Sequence, residues 1–169
     1  TGSGKTLVYF NRIKDFLDKG KQALILLPEI ALTNQFSSRY KEFFGAEPAI
    51  WHSRTSKKNK SIIWKGVTEG KVKIVIGARS SLFLPFKNLG IIIVDEEHDA
   101  SYKQDEGVSY NARDMAITRA SLEKIPISLV TSIPSIETYN NIINKKYYVT
   151  KLKKRYREAS LPNIEIINL

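Results

Sequence analysis

The chain has 169 residues, 42% of them hydrophobic and 26% charged, a balance that excludes disordered and low-complexity classes and suits one domain with its own core. It contains no cysteine, which excludes a disulfide framework and a thiolate-held metal within these residues and makes a reducing, cytoplasmic setting the expectation. Its 27 Lys+Arg against 17 Asp+Glu leave a formal charge of +10, which points to a polyanionic partner such as nucleic acid, or else to a merely Lys-rich composition.

The chain opens directly on Thr1-Gly2-Ser3-Gly4-Lys5-Thr6. Leu7, Tyr9, Phe10, Ile13, Phe16 and Leu17 then recur at three- and four-residue intervals, which predicts an amphipathic helix over 5–18, closed by Gly20. A buried strand follows over 22–28, a helix over 30–44 ending at Gly45, a short strand over 48–52 and a basic helix over 57–68. Strands are predicted over 72–77 and 90–95, the second too apolar to face water on either side. After a polar segment come a helix near 111–122, a strand over 125–131 and a helix near 135–144. Strands alternating with helices predict an α/β fold, a mostly parallel sheet with helices on both faces. The expected domain is 1–146; residues 147–169 turn basic and extended, as an exit segment would. Apolar runs stay far below the ~20 residues of a membrane span, so no membrane partner is expected, and no signal-peptide pattern appears at the start.

Two strings carry chemistry. Gly2, Ser3, Gly4, Lys5 and Thr6 match the latter part of the phosphate-binding pattern Gly-x4-Gly-Lys-Ser/Thr. Glycines let successive backbone N–H groups converge on a phosphate, Lys5 would reach the β- and γ-phosphates, and Thr6 would hold Mg²⁺ through its hydroxyl. Taken alone, the string is also what a Gly/Ser turn before an ordinary helix looks like. The second string, Ile91-Ile-Ile-Val-Asp95-Glu96-Glu97-His98, is a hydrophobic strand that delivers carboxylates to its C-terminal end, where open α/β sheets bind ligands. Asp95 would hold Mg²⁺ and Glu96 would orient and deprotonate the attacking water. Together, in this order, the strings predict ATP hydrolysis with Glu96 and Lys5 as catalytic residues.

Asp95-Glu96-Glu97-His98 resembles the DExH box of superfamily 2 helicases, with His98 as a relay between nucleotide and nucleic acid. Further strings resemble the primosomal replication-restart helicases in particular: Pro28-Glu-Ile-Ala-Leu-Thr33-Asn-Gln35; His52-Ser53; Ile76-Gly77-Ala-Arg79-Ser80-Ser81 running on to Gly90; and Asp99-Ala-Ser101-Tyr102-Lys103-Gln104-Asp-Glu106-Gly107 followed by Tyr110 and Ala112-Arg113-Asp114. The resemblance covers nearly the whole chain. It implies the first of two RecA-like P-loop motor domains of an ATP-dependent 3′-to-5′ DNA helicase, cytoplasmic and nucleoid-associated in a bacterium. Its partners would be forked and single-stranded DNA, primosome proteins and single-strand-binding protein. Thr33, Gln35, Arg79 and Ser80 would face DNA without reading sequence, Tyr102 and Tyr110 would stack on bases, and His98, Thr131 and Ser132 would couple hydrolysis to movement.

The family pattern also sets departures and omissions. Val108 and Ser109 stand where an aromatic residue and an arginine are expected, and Ile133 replaces a hydroxyl in the segment 130–135, which implies weakened coupling. The strand before the phosphate loop, the second motor domain and its zinc module would lie outside the chain, so zinc belongs only to that missing part. Loss of that strand is expected to leave a gap inside the sheet, marginal stability, and slow or no hydrolysis by these residues alone. The alternatives are a non-catalytic remnant of such a helicase and a small-molecule kinase sharing only the phosphate loop.

Overall fold

The computed structural model describes residues 4–31 and 33–152. Thr1, Gly2 and Ser3, and the predicted exit segment from 153 onward, lie outside the described residues. Helix α1 (Lys5–Leu17) leads into β1 (Gln22–Leu26); α2 (Asn34–Phe44), β2 (Ala49–Trp51), α3 (Lys57–Glu69) and β3 (Ile74–Gly77) follow. The chain continues through β4 (Leu89–Asp95), a two-stranded hairpin of β5 (Lys103–Gln104) and β6 (Tyr110–Asn111), α4 (Ala112–Glu123), β7 (Ile127–Val130) and α5 (Ile136–Ile143).

Five strands form one sheet in the order β2-β3-β1-β4-β7, every pair parallel. Strand pleating sends alternate residues to opposite faces. Ala23, Ile25 and Leu27 with Ile91 and Ile93 meet Tyr9, Phe10 and Ile13 of α1 and Tyr40 of α2. Leu24, Leu26, Ile92 and Val94 meet Val67 of α3 and Ala112, Ala116 and Ala120 of α4 on the other face. With both faces covered, β1 and β4 are buried along their whole length, which explains why they read as continuous apolar runs without alternation. The α/β class with helices on both faces is therefore as the sequence predicts.

The expected gap inside the sheet is not there: β1 pairs with both β3 and β4, and β4 pairs directly with β7, so neighbouring backbones satisfy one another. Among the described residues no strand precedes α1, and β7 is an edge strand, half-buried throughout. The predicted helix over 30–44 divides: a 3₁₀ turn at Glu29–Ala31 is followed by α2, because Thr33 sits in extended backbone and its hydroxyl accepts the Phe36 N–H as an N-cap. The hairpin and the 3₁₀ turn Arg79–Phe83 went unread in the sequence, being too short to show a hydrophobic period.

Candidate functional site

Because the strands are parallel, their C-terminal ends lie along one edge of the sheet, and the sequence strings follow them there: Pro28 after β1, Ala78 after β3, Glu96 after β4 and Thr131 after β7. Gly4 precedes α1 in the left-handed conformation, φ 78°, which only glycine adopts readily. The first turn of α1 carries no acidic residue, so nothing of the helix's own neutralises its positive end.

The Lys5 ammonium donates to Glu96 Oε1 at 3.1 Å and to Ser132 Oγ at 2.6 Å. One cation thus gathers three strings that lie up to 127 residues apart. Asp95, the last residue of β4, is buried, and burial pushes its carboxyl above the ordinary carboxylate range. The Tyr9 hydroxyl donates to Asp95 Oδ2 at 3.0 Å and the Glu96 N–H to Oδ1 at 3.0 Å. Burial first, and the Asp95 carboxylate second, drive the Tyr9 phenol upward, while the Thr6 side chain acts in the opposite direction. Tyr9 is thus tied directly to Asp95, one of the two residues expected to hold a metal. The sequence showed Tyr9 only as a core position; the signal for more was a hydroxyl-bearing ring on the same helix face as Lys5, four residues on.

Glu96 has φ 48°, an unusual conformation for a residue with a side chain. His98 Nδ1 lies 2.7 Å from Thr131 Oγ1 and 3.7 Å from Glu96 Oε2. The Thr131 hydroxyl also donates to the Ile133 carbonyl at 2.7 Å, so His98 Nδ1 carries the proton when that bond is made. His98, Thr131 and Ser132, expected as coupling residues, are thereby in contact with or adjacent to Glu96 and Lys5. The geometry suits a site that binds a polyphosphate at Gly4 and Lys5 and acts on it with Glu96.

No group of three or more His, Cys, Asp or Glu residues poised for a metal occurs among the described residues. Mg²⁺ takes one or two protein ligands and completes its shell with water and substrate phosphates. A hydroxyl at Thr6 and a carboxylate destabilised by burial at Asp95 are the donor types such an ion prefers.

The residues expected to face DNA are less uniform. Gln35 and Ser80 are exposed, and Ser80 Oγ accepts from the Trp51 indole N–H at 3.1 Å. Thr33 is exposed but its hydroxyl is engaged as the α2 cap. Arg79, half-buried, donates from Nη1 to the Lys103 carbonyl at 2.6 Å and so ties the 3₁₀ turn after β3 to the hairpin. Tyr110 is half-buried and packs edge-on against Phe83, ring centres 5.5 Å apart. Tyr102 requires a correction. It is 1% exposed, and its hydroxyl contacts the carbonyls of Asp95 at 2.6 Å and Leu26 at 3.0 Å. A ring enclosed in the core offers no face to a base. The acid and base that sequence reasoning missed are Glu97 and Arg113: both are buried, and Arg113 Nη1 lies 3.3 Å from Glu97 Oε2.

Residues 1–140 match the DEAD/DEAH box helicase family. The chain is 57% identical over 169 residues to the replication restart protein PriA of Rickettsia conorii, and 41% identical to that of Bacillus subtilis. All of the chain aligns in both cases, spanning 26% and 21% of those proteins, so it covers about a quarter of the relatives' length or less. A solved structure of RecG bound to a three-way DNA junction matches 83% of the chain and 18% of its own, with TM-score 0.58 and 25% identity. MrfA bound to DNA and AMPPNP matches 83% of the chain and 22% of its own, with TM-score 0.55 and 22% identity, a likeness of fold alone.

Proposed function

We propose that this chain, which belongs to the DEAD/DEAH box helicase family, works as the first RecA-like motor domain, residues 1–146, of an ATP-driven replication-restart DNA helicase. The observation that carries the reading is the contact of Lys5 with Glu96 and Ser132 at the C-terminal edge of a parallel sheet. The Lys5 ammonium neutralises Glu96 in the structure. When ATP enters, its β- and γ-phosphates compete for that ammonium, and the phosphate-binding backbone is supplied by Gly2, Ser3 and Gly4. Lys5 then leaves Glu96, whose carboxylate becomes free to accept a proton from the attacking water.

Thr6 and Asp95 would hold Mg²⁺, which would supply charge neutralisation to the phosphates. Tyr9 keeps the Asp95 carboxylate oriented toward that position. His98, in reach of Glu96 and of Thr131, senses whether Glu96 is paired with Lys5 and passes that state to the 131–135 segment. By likeness to PriA, the substrates are forked and single-stranded DNA, met by Thr33, Gln35, Arg79, Ser80 and Tyr110, and the partners are primosome proteins and single-strand-binding protein. The setting is then the bacterial cytoplasm at the nucleoid.

Steady-state ATP hydrolysis by the intact protein, with and without single-stranded DNA, tests the reading. DNA-stimulated hydrolysis that Glu96→Gln lowers by about 100-fold or more is expected, the low end of general-base contributions. Hydrolysis indifferent to DNA and to Glu96 would refute it.

A further inference from the structure

Glu97, the third residue of the Asp-Glu-Glu-His string, has no part in the chemistry above, yet its side chain is fully enclosed. Its carboxylate accepts from the Ser135 N–H at 2.8 Å, the Thr138 hydroxyl at 3.0 Å and Arg113 Nη1 at 3.3 Å. Arg113 also donates to Ser135 Oγ at 2.7 Å and, through Nε, to Asp114 at 2.8 Å. Ser135 in turn caps α5, its hydroxyl accepting the Thr138 N–H. The cluster joins the residue after Glu96 to the first turns of both α4 and α5. An ion pair this dry gives little net stability against an apolar pair of the same shape, which leaves its presence to be explained by what it holds in place.

What it holds is next to it. Glu96 takes the left-handed backbone conformation at φ 48°, and such strain persists only where the surroundings over-determine it. On one side Asp95 is fixed in the ladder opposite Val130; on the other the Glu97 N–H donates to the Val130 carbonyl at 3.1 Å while its carboxylate is clamped. Glu96 is the single residue that must bend between two anchored neighbours. If Glu97 were free to turn, Glu96 would relax to an ordinary conformation and its carboxylate would swing from Lys5.

We propose that Glu97 and Arg113 are positioning residues, a buried clamp that keeps Glu96 in its left-handed conformation and so aims its carboxylate at the attacking water. The inference rests on the hydrolytic reading of the site. It separates positioning from binding: Glu96 orientation governs turnover, whereas Gly4 and Lys5 grip the nucleotide.

The test uses the intact protein with Glu97→Gln and with the paired Glu97→Met/Arg113→Met, which removes both charges and keeps the volume. For each, kcat and KM for ATP, binding of a fluorescent ATP analogue and the thermal midpoint are measured. The clamp predicts kcat lower by about 100-fold, the scale of a misplacement near 1 Å. It predicts KM and analogue binding within about threefold of wild type, the pattern of an interaction made only in the transition state. A folded variant of either kind that binds and turns over like wild type overturns the inference. So does loss of folding in both, which marks the pair as structural alone; if only Glu97→Gln unfolds, the paired variant decides. A wild-type protein without hydrolysis overturns the functional reading and this inference with it, whereas active wild type with unaffected variants overturns only this inference.

Discussion

Asp95 sits where its chemistry is wanted and its charge is not. Burial raises its carboxyl above the ordinary range, so the fold binds a proton there more readily than the unfolded chain does. The sign follows: below the ordinary carboxyl pKa the group is neutral in both states, and as pH rises through the raised value the folded state must carry a disfavoured charge. Near neutral pH, without metal or nucleotide, Asp95 is therefore a destabilising residue. Asp95→Asn is expected to raise the thermal midpoint at pH 7, by about 2–4 °C for each kcal/mol relieved, and to abolish ATP hydrolysis. The gain should shrink as pH is lowered toward the carboxyl range, which thermal melts across pH would show. Tyr102 separates two roles equally well. Its hydroxyl serves buried strand-end carbonyls, so Tyr102→Phe should lower stability by about 1–3 kcal/mol, the penalty for buried acceptors left unserved. Single-stranded DNA affinity should stay unchanged; reduced affinity at full stability would restore the stacking role expected from sequence. Val108 and Ile133, which depart from the family pattern, are 77% and 72% exposed, so neither packs into the core.

The elements differ in how much of them the sequence discloses. β1 and β4 were legible because five and seven consecutive buried residues leave a continuous apolar trace. α2 was misjudged at its start since Thr33 reads as one more helical residue until its side chain is seen accepting the Phe36 N–H. The 103–111 hairpin has two residues per strand, below the length at which alternation is visible. Glu97 and Arg113 stand 16 positions apart and declare nothing singly; only the α4 start brought against the β4 end makes them a pair. The turn after β3 is a further constraint that sequence hides. A side chain at Gly77 would meet the Trp51 carbonyl and Ser81 Cβ, both at 2.5 Å, and the first is backbone that cannot yield. Gly77→Ala should force β2 from β3 and displace the Arg79 turn, with a loss of about 1–3 kcal/mol in denaturant unfolding, the range of overpacked sites. An unaltered unfolding midpoint would show that β2 moves freely.

Across the whole molecule, parallel strand order does most of the work. Residues at positions 5, 96 and 132 become neighbours because α1, β4 and β7 present their relevant ends at one edge. The +10 charge is consistent with a DNA partner, and among the described residues no helix is long and apolar enough to cross a membrane. Pairing of the phosphate-loop string with the acidic strand end could be anticipated from their order; the Lys5 to Ser132 contact and the Tyr9 link to Asp95 depend on side-chain directions that no spacing reveals. The central claim is that one ammonium grips the nucleotide while one strained carboxylate turns it over. Binding and turnover of ATP with Mg²⁺ by intact Lys5→Ala and Glu96→Gln proteins test it most directly. Lys5→Ala should weaken nucleotide binding by about tenfold or more, as loss of a charged hydrogen bond does, whereas Glu96→Gln should bind like wild type and fail to hydrolyse. Equal loss of binding in both variants, or hydrolysis surviving in Glu96→Gln, would contradict the account.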